Sequence, residues 1–243
     1  MTTVDRAIRE AFAPSGVLRA SINFGNPILA TRGTNGEPRG ISVDLATELA
    51  RQLELPLELV TFDAAGKAVT GVANGDVDFG FFAIDRVRAE EIAFSNPYVL
   101  IQGSYLVRSE SHIRTNAEVD RSGVRVAVGT GSAYDLFLTR ELKHAEIIRG
   151  STSPEVVNTF LRDKLDVAAG VTQQLEADAQ RLGGMRLLPG NFMQIQQAMG
   201  IAKSRGIVAA AWLNDYVVEQ VRSGFVRDAI AQQQIEGVAV PDL

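Results

Sequence analysis

Gly75-Asp76-Val77-Asp78-Phe79-Gly80-Phe81-Phe82-Ala83-Ile84-Asp85-Arg86-Val87-Arg88-Ala89-Glu90-Glu91-Ile92-Ala93-Phe94-Ser95-Asn96-Pro97-Tyr98 is the stretch whose reading decides the fold. It reads as a buried strand, a charged turn, a short helix and a loop stopped by Pro97. Val77 to Ala83 is apolar except for Asp78 and Gly80, as expected of a strand covered on both faces, and Gly75-Asp76 punctuates its start. Asp85-Arg86-Val87-Arg88 follows at once. In open α/β sheets ligands bind beyond the carboxyl ends of the strands, so this charged cluster stands where a binding site is expected.

The segments before it alternate between strand and helix. Residues 4 to 12 predict a short amphipathic helix, and Val17 to Phe24 a first strand that ends in the turn Gly25-Asn26-Pro27. From Val43 to Leu53 a helix puts Val43, Ala46, Leu49, Ala50 and Leu53 on one stripe, with Ser42 as N-cap and Asp44 favoured by the helix dipole. Pro56 to Phe62 and Ala65 to Asn74 add a strand and a helix. The β-α-β-α-β pattern predicts a parallel sheet with helices on its faces, an α/β chain.

After Tyr98 the run Val99 to Val107 is extended, and a second β-α series begins near Ser109. Its strand Val124 to Val128 leads into Gly129-Thr130-Gly131-Ser132-Ala133-Tyr134-Asp135 and a helix to about Leu142. Three readings of this turn stand side by side. As a dinucleotide fingerprint it fails, because Tyr134 occupies the place of the third glycine and no acid ends the strand near Ile147-Ile148-Arg149-Gly150. As a tight turn with Ser132 capping the helix it needs no ligand. As an anion site, free backbone N–H groups and the Ser132 hydroxyl receive a negative group at the helix N-terminus.

A helix capped by Ser153 with Pro154 at its first position follows, then the strand Asp166 to Val171, the strand Met185 to Gly190 and the return strand Gln197 to Lys203. Ile207 to Arg222 predicts a helix with Val208, Ala211, Trp212, Asp215, Tyr216, Val218 and Val221 on its stripe, and a last helix runs to about Gln234. Trp212 and Tyr216 at helical spacing read as core.

Composition limits the chemistry. The chain has 243 residues, 46% hydrophobic and 22% charged, with a net charge of −5 and no basic run, so no nucleic-acid footprint is expected. Two histidines, His112 and His144, and no cysteine leave little for a zinc site, a thiol nucleophile or a Ser-His-Asp triad. No metal, no cofactor and no catalytic residue is expected. Zero cysteine fits an exported protein without disulfides and a cytosolic one equally. The first ten residues lack the apolar run of a signal peptide, and no apolar run is long enough to span a membrane.

Gly75-x-Val77-Asp78-Phe79, then Arg88, then Phe94-Ser95-x-Pro97-Tyr98 resembles the signature of the family 3 extracellular solute-binding proteins, the polar-amino-acid receptors of ABC importers. Gly36 to Leu45 and Gln197-Ala198-Met199-Gly200-Ile201-Ala202-Lys203 are similar to two further family stretches. The resemblance spans roughly residues 15 to 235. It implies the type II periplasmic binding protein fold, two α/β lobes joined by a two-strand hinge, with lobe one from residues 1–106 and 198–243 and lobe two from 107–197.

The resemblance also implies site residues. Arg88 clamps a ligand carboxylate with its planar fork. Phe82, Ala83 and Asp85 lie beside it, and Phe24 or Asn26 supplies the family's platform near the first strand. From lobe two, Gly131, Ser132 and Ala133 meet the same carboxylate, with Thr172 nearby. Four departures stand out: the segment between Asp78 and Arg88 is two residues shorter than the family's, Asp85 replaces a threonine, Ala133 lacks a hydroxyl, and Val171 falls where the family has the aspartate that pairs with a ligand ammonium. A buried ammonium needs a partner, so either another acid, Asp85 or Glu37, takes over, or the ligand is not an α-amino acid. The implied partners are a small carboxylate and an ABC permease, and the implied location is periplasmic. Two alternatives remain: an enzyme similar to cyclohexadienyl dehydratase on the same fold, and a cytoplasmic ligand sensor.

Overall fold

A computed structural model describes residues 5–243. In chain order the elements are α1 (Arg6–Phe12), β1 (Leu18–Asn23), β2 (Thr31–Arg32), β3 (Pro38–Arg39), α2 (Ile41–Leu53), β4 (Leu57–Phe62), α3 (Ala65–Ala73), β5 (Phe79–Ala83) and β6 (Ile92–Arg108). There follow β7 (Arg125–Gly129), α4 (Ala133–Glu141), β8 (Glu146–Gly150), α5 (Val156–Arg162), β9 (Val167–Val171), α6 (Thr172–Leu182), β10 (Met185–Leu187), β11 (Met193–Ala202), α7 (Ile207–Arg222) and α8 (Phe225–Gln232). They form two compact units, one of residues up to Leu100 with Gln196–Leu243, the other Ile101–Ile195. β6 and β11 run through both.

In the first unit β1 lies between β4 and β5, parallel to both, and β11 pairs antiparallel with β5. All five residues of β5 are buried, which is why its sequence is apolar on both faces. The α1 helix starts at Arg6, with Asp5 accepting the Ala7 N–H. Residue 4, included in the expected helix, lies outside the described residues.

The second unit repeats the plan. β7 lies between β8 and β9, all parallel, and the far half of β6 pairs antiparallel with β9 and β10. Val126, Val128, Phe160, Val167 and Leu175 form its core. The rings of Tyr105 and Phe192 stack there, 4.3 Å apart.

Four sequence expectations need correction. Phe94 to Tyr98 is strand, inside β6, not a loop. Pro97 lacks an N–H, and the preceding Asn96 N–H leaves the ladder to donate to the Asn214 side chain at 2.8 Å, so a proline is tolerated here.

Ser42 does not cap α2. Gly40 does, with φ 123°, while the Ser42 N–H donates to the Leu29 carbonyl and the side chain is buried. The helix therefore buries Ile41 and Leu45 and leaves Val43 half-exposed. In α7 the buried face is Ala209, Leu213, Tyr216, Val217 and Val221, whereas Val208 is 66% exposed. The start of that helix is apolar all round, so periodicity does not fix its face. Trp212 does stack on Tyr216, 6.1 Å between centroids, and meets Phe12 edge-on.

Ser153 opens a 3-10 turn whose N-cap is Thr152. It packs against Gly129 so closely that a Cβ there would stand 2.8 Å from the Ser153 backbone.

Candidate functional site

In the first unit the polar residues gather at the carboxyl edge of the sheet. β5 ends at Ala83, and the Ile84 N–H donates to the Gln196 carbonyl at 2.8 Å. Asp85 then folds the turn: its Oδ1 accepts the Val87 N–H at 2.8 Å and its carbonyl accepts the Ala89 N–H. This is the local chemistry by which a short acid stabilises a tight turn. It delivers Arg88, at the start of a 3-10 turn, back toward the strand end.

Arg88 is 6% exposed, and its Nη1 donates to the Ala83 carbonyl at 3.1 Å. Burial lowers its pKa to about 10, while the negative charge of Asp85 pulls the other way. Arg88 is therefore still a cation at neutral pH. A guanidinium in such surroundings can grip a carboxylate by two parallel charge-assisted bonds, strengthened by the low local dielectric.

Phe24 follows β1, parallel to β5, so the register brings it level with the end of β5. Its ring is half-buried and carries the Arg32 guanidinium 4.1 Å from its centroid. Asn26 builds the next turn, with Oδ1 accepting the Ile28 N–H at 3.1 Å. Phe82 faces the other way: its ring lies over Gly80 and packs with Ala68, Val72, Val77 and Ile92. Glu37 is exposed on the β2–β3 hairpin and accepts the Asn35 N–H.

The second unit carries a matching cluster where β7 enters α4. Thr130 donates twice to the Gly150 carbonyl, from N–H and hydroxyl, which ties the turn to β8. Gly131 takes φ 69°, a region that favours glycine. Ser132 is the N-cap: its Oγ accepts the Asp135 N–H at 3.0 Å.

The Gly131 N–H, expected to face an anion, donates instead to Asp135 Oδ2 at 2.9 Å. Asp135 is buried and in turn holds Arg149 Nε at 3.0 Å. The Tyr134 hydroxyl, buried beneath the turn, meets Ser153, Ser132 and the Gly129 backbone, and its burial raises its pKa. Ala133 opens α4, and the first N–H groups of a helix have no intrahelical acceptor. The cluster is thus a closely hydrogen-bonded helix N-terminus with the Ser132 hydroxyl as its cap.

Thr172 begins α6 at the end of β9. Its hydroxyl donates to the Gln102 carbonyl at 3.0 Å and shares a 2.7 Å bond with Ser104. Val171 is buried opposite Gly103. Among the described residues, no group of three or more His, Cys, Asp or Glu is placed to hold a metal.

The network missing from the sequence reading is Asp135 with Arg149. A signal for it existed, since Ser132-Ala133-Tyr134-Asp135 has the hydroxyl-x-x-acid spacing of a capped helix start.

Residues 19–227 match the model of the bacterial extracellular solute-binding proteins, family 3. Among curated proteins, none matches. Solved structures do. A mutant of ArgBP from T. maritima has TM-score 0.79 at 21% identity, covering 95% of this chain and 100% of its own. The solute receptor for L-cysteine of Neisseria gonorrhoeae has TM-score 0.79 at 21% identity, covering 92% of each chain. The ancestral amino acid-binding protein AncCDT-1, a precursor of cyclohexadienyl dehydratase, has TM-score 0.76 at 19% identity, covering 92% of this chain and 98% of its own. At these identities the likeness is one of fold, that of the type II periplasmic binding proteins.

Proposed function

The chain belongs to the bacterial extracellular solute-binding proteins of family 3, and from that premise we propose that it captures a small carboxylate-bearing ligand, an amino acid or a related organic acid, for an ABC importer. Arg88 holds the carboxylate, and the Ser132 helix N-terminus of the other unit engages the same ligand. Because such a ligand binds the closed form better than the open one, it shifts the hinge equilibrium toward closure, which a permease then recognises. The proposed location is the periplasm. No helix among the described residues is long and apolar enough to cross a membrane.

The observation that carries this reading is the buried Arg88, which Asp85 and the Ala83 carbonyl position at the end of β5. A thermal-shift screen tests it, with probe pairs such as L-arginine and 5-guanidinopentanoate, and L-cysteine and 3-mercaptopropionate. At a hundredfold excess over Kd a ligand adds about 2.7 kcal/mol, or a Tm rise of roughly 5–10 °C for a chain of this size. Arg88→Ala then lowers affinity by well over about 1.5 kcal/mol. A protein indifferent to every carboxylate, or an unaffected Arg88→Ala variant, refutes the reading.

AncCDT-1, as a precursor of a dehydratase, gives an enzymatic reading one foothold. It requires a general acid with a raised pKa at the site, and Asp85, the acid whose charge acts on Arg88, already accepts the Val87 N–H. Ultraviolet absorbance during incubation with prephenate or arogenate decides: an aromatic product establishes the enzyme, and a flat trace removes it.

A further inference from the structure

Gln197 is a buried polar side chain on β11, outside the Arg88 turn and the Ser132 cluster. It is 5% exposed, and its amide oxygen is buried with no hydrogen-bond partner among the described residues. Native proteins pair nearly all such atoms, because a buried acceptor without a donor loses its bonds to water and gains none.

Its place in the fold gives the oxygen a use. Gln197 lies on β11 directly opposite Ala83, the last residue of β5. Directly opposite residues of an antiparallel pair share a face. The Ala83 carbonyl is the group to which Arg88 is anchored. Gln197 therefore occupies the rung that ends β5, in the same unit as Arg88, at the carboxyl edge where α/β sheets bind ligands.

We infer that Gln197 is a specificity-determining residue whose amide oxygen accepts a hydrogen bond from the ammonium group of the ligand. The inference rests on the reading of Arg88 as the carboxylate clamp. It also answers the change at Val171: β9 offers a buried apolar side chain where an acid is expected, and Asp85 has its Oδ1 on the Val87 N–H. A neutral oxygen then takes the place of a charged one. Recognition of the amine by such an oxygen favours it over its absence without demanding a fixed negative charge in the site.

Calorimetric titration of the full chain with L-arginine and 5-guanidinopentanoate, and with L-cysteine and 3-mercaptopropionate, tests the inference in wild type, Gln197→Met, Gln197→Glu and Arg88→Ala. Wild type is expected to bind the amine-bearing member of a pair at least about tenfold more tightly. Gln197→Met reduces that preference to about twofold or less, leaving the des-amino affinity within about twofold of wild type. Gln197→Glu, nearly isosteric, widens the preference by restoring a charge for the ammonium, and it carries the test if the methionine variant does not fold.

A preference unchanged in both Gln197 variants, a wild type that prefers the des-amino members, or a wild type that binds no probe overturns the inference. Arg88→Ala separates the two ideas. If it abolishes binding while the Gln197 variants keep the full preference, only the role of Gln197 fails. If it leaves binding intact, the clamp reading itself fails.

Discussion

Replacing Asp78 by alanine removes the carboxylate around which three parts of the first unit are tied. The Asp78 side chain is 0% exposed. Its Oδ2 accepts the Arg19 backbone N–H at 2.8 Å and Arg19 Nε at 3.1 Å. Its Oδ1 accepts Arg19 Nη2 at 2.9 Å and Arg205 Nη2 at 2.7 Å. Those bonds connect β1, the approach to β5, and the turn after β11.

Removing one partner of a buried ion pair costs about 3–5 kcal/mol, because the remaining charge is left in a poor medium. The two guanidiniums keep 26% and 15% of their side-chain surface in water, which favours the lower end, about 3 kcal/mol. At roughly 2–4 °C per kcal/mol for a chain of this size, Tm falls by about 6–12 °C. Asp78→Asn retains one accepting oxygen and is expected to lose about half as much. Urea unfolding followed by fluorescence reports on the same unit, since Trp212 is the sole tryptophan and packs on Phe12 and Tyr216. A Tm change under about 2 °C for Asp78→Ala refutes the reasoning.

Asp135→Asn keeps the shape of the turn and removes the charge that holds Arg149. It is expected to cost about 1–2 kcal/mol of stability and to weaken carboxylate binding, both read from ligand-dependent melting. Asp44 is pushed up in pKa by burial, against a hydrogen bond from Gln233. A carboxyl whose folded pKa is raised lends stability that is full below its unfolded pKa and is lost as pH rises through the folded value. Asp44→Asn is therefore expected to raise Tm by about 1–2 °C at pH 7 and to leave it unchanged well below the normal carboxylate range, as a melting series against pH shows. Burial brings Arg88 down to about 10, so affinity for an amine-free carboxylate holds from pH 6 to 9, within about twofold, and declines above about 10. Calorimetry at stepped pH checks it, and a decline beginning near neutrality contradicts the assignment.

The alternation of elements was legible because the central strands, β5 and β9 above all, are buried on both faces and announce themselves by composition, whereas the outer β4 and β8 are only partly covered. β5 and the Ser132 cap are the clearest cases. What failed were places where a local rule met a tertiary contact. Pro97 reads as a stop, yet it continues β6 because Asn214 takes the neighbouring N–H. Ser42 reads as a cap, yet Gly40 turns the chain two residues earlier, so that the Ser42 N–H meets the Leu29 carbonyl.

The site was legible only in part, for the same reason. Arg88 lies in a local pattern with its turn, whereas the partners of Asp135 come from a neighbouring strand, at Arg149. Gln197 has no local signature at all. A glutamine in an extended run reads as a solvent-facing residue, and only the pairing of β11 with β5 puts it on the rung of Ala83, at the end of β5.

The central claim is that Arg88 recognises a carboxylate, and calorimetric titration of wild type and Arg88→Ala with L-arginine, L-cysteine and the carboxamide of each tests it most directly. Wild type is expected to bind at least one of the free acids and to discriminate against its carboxamide by roughly tenfold or more, and Arg88→Ala to lose this discrimination together with most of the affinity. Equal binding of acid and carboxamide by wild type would contradict it.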